Sequence, residues 1–316
     1  MQHTLLVHNE SAGAGQLGPA ELTAALEAGG LKVRHCEPQH AHLDKILAEP
    51  TDMVVLAGGD GTVARILAKL PFQKRVVAIV PLGTANNIAQ SLGILDPAQP
   101  GSGNEIVTAW RHADRRALDI GCAKGPWGET RFVEALGIGP LAKTILQFKT
   151  EDVSAADSIR LGREAFRHAL THAEPIRSQI TLDGTILSGQ ILLMEAMNIQ
   201  HGGSRVHLAP QADLGDGYFD VVTIAPEQRE EVLKWIDGGF SGEPTVTVTR
   251  ARKVEIDWRG DPLRIDDFGP ETPVYEGFIT VTFLAERLEI LVPSQHDRAN
   301  TPPLPSKVKS KVEVLS

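Results

Sequence analysis

The chain has 316 residues, 42% of them hydrophobic and 22% charged, a composition of soluble globular proteins and a length that suits two domains. Its net charge of -9 and its 5% aromatic content exclude nucleic acid as a natural partner, since neither a basic surface nor a stacking platform is available. Cys36 and Cys122 are the only cysteines, with no CxxC or Cys/His spacing, which excludes a zinc module and a disulfide framework.

Residues 4–7, 31–34, 53–56 and 76–80 are short β-rich runs and read as strands. Residues 19–28 read as a helix, with Pro19 at an early helical position, Leu22 and Leu26 four apart and Gly29-Gly30 as a stop. Residues 42–48 and 63–70 repeat that pattern. Strands alternating with helices predict an α/β domain with a parallel sheet covered on both faces, because parallel strands need crossover connections. From about Leu118 the pattern changes to longer β-type runs at 179–182, 186–194, 218–224, 245–258 and 278–293, with helices near 158–172 and 227–237. The Asp183-Gly184 pair marks a hairpin turn, and this half is predicted to be mainly antiparallel. No apolar run approaches the roughly 20 residues that span a bilayer, and the first residues carry no signal-peptide pattern. A cytoplasmic protein, at most peripheral at the inner membrane surface, is expected.

The chemistry concentrates where the strand at 53–57 runs into Gly58-Gly59-Asp60-Gly61-Thr62 and then into a helix. Glycines there permit positive φ and let a phosphate approach the backbone, while the helix start offers unpaired N–H groups. Thr62 is placed to cap that helix. Asp60 beside phosphates makes sense if it holds Mg²⁺ or accepts a proton from a reacting hydroxyl; as a bare turn residue it is a local cap. A second loop, Pro81-Leu82-Gly83-Thr84-Ala85-Asn86-Asn87, follows the strand at 76–80. Both loops sit at carboxyl ends of neighbouring parallel strands, where open α/β sheets bind ligands. Thr84, Asn86 and Asn87 offer polar groups to phosphate, ribose or base, or cap the helix that follows.

Together with Asn9-Glu10-Ser11-Ala12-Gly13 and the run from Leu208 to Asp220, these loops resemble those of the diacylglycerol kinase catalytic-domain superfamily, which includes sphingosine kinases and bacterial lipid kinases. The glycine turn alone is shared with NAD kinases and phosphofructokinase-like folds; the second loop makes the likeness specific. The resemblance implies a phosphofructokinase-like nucleotide domain over residues 1–118 and a β-sandwich lipid domain over 119–287. It further implies that a segment near 288–300 returns to the first domain; the tail 301–316, with three prolines and three lysines, reads from its own composition as a flexible end. ATP and Mg²⁺ are the implied cofactors, a lipid at the membrane surface the implied substrate, and a homodimer is compatible with the family. Asn9, Gly58, Gly59, Asp60, Gly61, Thr62, Thr84 and Asn86 map to the nucleotide side, with Cys36 near a further contact.

The loop Asp213-Leu214-Gly215-Asp216-Gly217-Tyr218 offers hard oxygen ligands suited to Mg²⁺ or Ca²⁺, or is simply a glycine turn closing a hairpin. The resemblance implies a structural magnesium held by Asp216 and the carbonyls of Asp213 and Tyr218. The family's Asp-Gly-Glu motif, whose glutamate is the implied base, is not intact: residues 264–273 read Arg-Ile-Asp-Asp-Phe-Gly-Pro-Glu-Thr-Pro. Asp266, Asp267 or Glu271 must replace that glutamate, with Asp267 preferred, or proton removal rests on Asp60 or water. The expected function is ATP-dependent phosphorylation of a diacylglycerol-like lipid. The alternative is a non-catalytic nucleotide or lipid sensor that kept the cleft and lost the base.

Overall fold

A computed structural model describes residues 2–12, 17–94, 103–147, 153–269 and 276–294; Glu271 and the tail 301–316 lie outside them. The first part runs β1 (His3–His8), α1 (Pro19–Ala28), β2 (Lys32–Cys36), α2 (Leu43–Ala48), β3 (Met53–Gly58), α3 (Asp60–Lys69), β4 (Val76–Pro81), α4 (Asn87–Ser91), α5 (Gly103–Ala109) and β5 (Asp114–Leu118). Strands β6 (Gly121–Gly125), β7 (Gly128–Phe132) and β8 (Ala135–Ile138) lead to helices α6 (Pro140–Gln147) and α7 (Ala155–Thr171). Next come β9 (Gln179–Leu182), β10 (Thr185–Ile186), β11 (Leu193–Met197), β12 (Phe219–Ile224) and α8 (Arg229–Asp237). The chain closes with β13 (Thr247–Ala251), β14 (Lys253–Trp258), β15 (Leu263–Ile265), β16 (Gly277–Phe283) and β17 (Leu288–Val292).

Strands β3 and β4 are buried along their whole length, as strands sandwiched between two helical layers must be. Val54 and Leu56 face one layer with Ile46, Val63 and Ile66, while Val55 and Ala57 face the other with Leu22, Leu26 and Val107. This alternation follows from the two-residue period of a strand. The six-stranded sheet has the order β2-β1-β3-β4-β17-β5. Its last-made strand, β17, runs parallel to β4 and antiparallel to β5. The α/β class and the parallel sheet are therefore as expected.

The second half is a sandwich of two antiparallel sheets, β10-β9-β14-β16-β6-β7 and β13-β12-β11-β8-β15. Phe132, Ile180, Val254 and Val281 meet Leu136, Met194 and Phe219 between them. Helices α6, α7 and α8 cover the outer face of the five-stranded sheet through Leu141, Phe166, Leu170, Val232 and Ile236.

Three predicted runs break where the chain changes sheet. Residues 186–194 give β10, an irregular stretch and then β11. Asp183 (φ 46°) and Gly184 (φ 84°) form the expected tight turn, but it joins β9 only to the two-residue β10. Residues 245–258 split at exposed Arg252 into β13 and β14, one in each sheet. Residues 278–293 split into β16 in the sandwich and β17 in the first sheet. Apolar alternation continues through such corners, so sequence alone shows one strand. Among the described residues no helix is long and apolar enough to cross a membrane.

Candidate functional site

The site is built where β1, β3 and β4 end. Strand β3 stops at Gly58, Gly59 precedes the helix in extended conformation (φ -87°, ψ 176°), and Asp60 opens α3. Positive φ, expected for these glycines, is found at none of Gly58, Gly59 and Gly61. Their requirement is room. A Cβ on Gly83 would lie 2.4 Å from the Gly59 Cα, and one on Gly59 would lie 3.0 Å from the Gly83 Cα. The two loops thus touch backbone to backbone, and the Leu82 N–H donates to the Gly58 carbonyl at 2.9 Å.

Left-handed backbone falls instead on Asn86 (φ 52°, ψ 43°). Its Oδ1 accepts from the Gly83 N–H at 2.9 Å and its Nδ2 donates to the Gly83 carbonyl at 2.8 Å. The side chain is buried and closes its own loop, so its amide is committed within the loop. Asn87 is also buried and donates to the Gly203 carbonyl across the cleft at 2.7 Å. Thr62 does not cap α3: its Oγ1 accepts from Asn9 Nδ2 at 2.9 Å, tying the loop after β1 to the glycine turn. Thr84 stays exposed, with its carbonyl held by Arg205 at 3.1 Å. Cys36 turns inward. It is 4% exposed, packed in the core, and its thiol donates to the Glu37 carbonyl, so its side chain is not offered to a ligand.

Asp60 links the loops. Its Oδ1 accepts from the Ile88 N–H at 3.1 Å at the start of α4. Burial pushes its carboxyl up to about 6; the N–H groups of Asn87, Ile88 and Asn86 oppose that rise, and the neighbouring Asp267 adds to it.

Asp267 comes from the far side of the cleft. Its Oδ2 lies 3.4 Å from where a Cβ on Gly61 would stand, so a carboxylate of the sandwich half meets the glycine turn. Water reaches it, yet the surrounding protein raises its carboxyl through desolvation, with Arg264 opposing. Asp266 has a different task. It adopts φ 50°, and its carboxylate accepts from the N–H groups of Val133, Glu134 and Ala135 at 3.1, 2.7 and 3.3 Å. With its oxygens so committed it anchors the turn, which removes it as a candidate base.

Three buried charged side chains lie beside this cluster without any motif to mark them. Arg264 and Glu195, both 0% exposed, form an ion pair at 2.7 Å, and Arg264 Nη1 donates to the Asp266 carbonyl at 2.9 Å. Glu134, 1% exposed, has a buried Oε1 without a hydrogen-bond partner. The available signal was a lone charge inside an apolar run, since such residues are almost never fully buried without cause.

At the Asp213–Tyr218 loop, Asp213 Oδ1 pairs with Arg116 at 2.5 Å, while Asp216 accepts from the Tyr218 N–H at 2.9 Å and pairs with Arg250. Asp119 and Asp220 face the same loop; burial raises both, and Asp216 and Asp213 add to the rise. Among the described residues no three metal-ligating side chains converge. An ion here would therefore rest on one carboxylate plus main-chain carbonyls. The all-oxygen donor set suits a hard divalent cation, although Asp213, Asp216 and Asp119 are each already paired with an arginine, namely Arg116, Arg250 and Arg287.

Residues 3–123 match the diacylglycerol kinase catalytic domain, and residues 154–275 match the YegS C-terminal NAD kinase beta sandwich-like domain. The Bacillus subtilis (strain 168) protein named diacylglycerol kinase is 26% identical over 227 residues, covering 69% of this chain and 70% of that one. The crystal structure of a diacylglycerol kinase from Bacillus anthracis str. Sterne aligns with a TM-score of 0.62 at 18% identity, covering 92% of this chain and 97% of that one. An Archaeoglobus fulgidus NAD kinase in complex with ATP aligns with a TM-score of 0.55 at 14% identity, covering 94% and 96%, a likeness of fold. With both domain types matched in order along one chain, this protein belongs to the diacylglycerol kinase catalytic-domain superfamily.

Proposed function

We propose that this protein is an ATP-dependent lipid kinase that transfers the γ-phosphate to a hydroxyl of a diacylglycerol-like lipid, with Asp267 as the base. The observation that carries this reading is the approach of Asp267 to Gly61. It brings a carboxylate from the sandwich half to the turn where phosphates would lie.

The backbone of Gly58 to Thr62 and the N–H groups at the start of α3 receive the phosphates. Asp267 accepts the hydroxyl proton as the lipid oxygen bonds to the γ-phosphorus, and the bond from that phosphorus to the bridging oxygen breaks to release ADP. Holding donor and acceptor in line supplies most of the rate in such transfers. Magnesium bound with the nucleotide would supply positive charge against the phosphates; an ion at the Asp213–Tyr218 loop would use the Asp216 carboxylate with the carbonyls of Asp213 and Tyr218. A cavity of about 530 Å³ opens at the Gly139 and Pro262 ends of β8 and β15, lined largely by apolar groups such as Pro140, Ala169, Ile176 and Leu192. This cavity lies at the opposite end of β8 and β15 from Asp266 and Asp267, and none of Asp60, Gly61 and Asp267 lines it, so it does not mark where the acceptor hydroxyl is held.

The test is transfer of label from radiolabelled ATP to a panel of diacylglycerols, monoacylglycerols, sphingoid bases and phosphatidylglycerol. Label in one lipid class supports the reading; tight ATP binding with no transfer to any lipid would favour a non-catalytic sensor. Asp60→Ala is expected to abolish transfer, because its carboxylate holds the two loops together, and unchanged activity in that variant would contradict the arrangement. Gly83→Ala is expected to weaken ATP binding by about tenfold in calorimetry, equivalent to about 1.4 kcal/mol, since the new methyl group forces the loops apart. Unaltered affinity would show that the loop contact does not shape the site.

A further inference from the structure

Glu134 stands behind the proposed base, and proton transfer as described leaves it without a task. Its main chain is fixed on both sides: the N–H donates to Asp266 Oδ1 at 2.7 Å, and the carbonyl accepts from the Asn198 N–H at 2.8 Å. The backbone of Glu134 is therefore fixed beside Asp266, while its side-chain Oε1 is buried and unpartnered. Such an atom is costly unless a hydrogen bond satisfies it in the working state. The charged groups facing it are Asp267 and Asp266 from the turn after β15, Asp60 from the start of α3, and Arg264 from β15. That one guanidinium is already engaged by Glu195.

We propose that Glu134 is the positioning residue of this site, donating a hydrogen bond that holds the Asp267 carboxylate toward the glycine turn. The inference rests on Asp267 being the base. Burial first, and the nearby carboxylates of Asp267, Asp60 and Asp266 next, push Glu134 well above the usual carboxylate range. That upward shift favours the protonated acid, whose O–H can donate, as in carboxylate pairs that share one proton. Asp267 still takes the proton of the lipid hydroxyl; the Glu134 O–H engages its other oxygen. When pH rises through the Glu134 transition, the donor disappears and a second negative charge stands beside Asp267. Activity then falls on the alkaline side.

The experiment compares kcat and KM across pH for the wild type, Glu134→Ala and Glu134→Gln. Glu134→Ala is expected to lower kcat by about 100-fold, the scale of a general-base contribution, with the KM for ATP unchanged. Glu134→Gln, which donates through its amide and does not titrate, is expected to recover most of that loss and to lack the alkaline decline. Full activity in Glu134→Ala, or equal loss in both variants, overturns the proposal. A second measurement stands apart from turnover: carbon NMR of labelled glutamate carboxyls. The resonance that vanishes in Glu134→Gln should report a protonated acid at pH 7 whose midpoint drops in Asp267→Asn; an unmoved midpoint overturns the pairing. If the wild type phosphorylates no lipid, the kinase reading fails while this titration still decides the pairing.

Discussion

Exchanging Arg264 for Leu is expected to lower folding stability by about 3–5 kcal/mol, the usual cost of removing one partner from a buried ion pair. Glu195 lies at 0% exposure opposite it, and the fold gives that carboxylate its space by placing Gly137 where a Cβ would stand 2.1 Å from the Glu195 oxygens. Burial already raises the Glu195 carboxyl, with Arg264 as the opposing influence, so the variant would leave Glu195 to take up a proton instead. The double variant Arg264→Leu/Glu195→Leu is expected to regain most of the stability, because an apolar pair of similar volume is often neutral or better. It should not regain activity. The Asp266 carbonyl loses its donor from Arg264 Nη1, and with it the turn that aims Asp267. Urea unfolding with parallel transfer assays separates these effects. A single variant as stable as the wild type would contradict the role given to the pair.

Much of the nucleotide half was legible because its signals are local. Pro19 and Gly29 bracket α1, and the uninterrupted apolar runs of β3 and β4 announce strands buried on both faces. The glycine turn and the second loop were likewise visible, since close backbone approach restricts both positions to glycine. Their roles were less so. Positive φ was expected at Gly58 to Gly61 and is found at Asn86, because sequence shows that a loop is tight without showing which residue takes the strained conformation. Asn86 and Cys36 match a family pattern by position, but one side chain closes its own loop and the other packs in the core.

The sandwich half was harder to read. Strand ends such as Ala251 and Phe283 carry the same alternation across a corner, so changes of sheet leave no mark in the periodicity. The acid cluster shows the largest gap between sequence and structure. Asp60, Glu134, Glu195, Arg264, Asp266 and Asp267 come from four separate stretches of chain, and only folding brings them together. Asp266 and Asp267 are adjacent and chemically identical, yet one is consumed by three main-chain N–H groups and the other faces the glycine turn. The sequence does not show that the main chain consumes Asp266.

That separation makes Asp267→Asn the most informative substitution. The amide preserves the shape of the side chain beside Gly61 and removes its capacity to accept a proton. Loss of a positioned general base lowers turnover by about 10²–10⁴-fold, whereas the phosphate-binding loops are untouched. The direct measurement is steady-state transfer of label from ATP to the lipid acceptor, with ATP affinity determined by calorimetry on the same preparations of wild type and Asp267→Asn. The expected result is a fall in kcat of at least about 100-fold with ATP affinity within about threefold. Wild-type turnover by Asp267→Asn would contradict the assignment of Asp267 as the base.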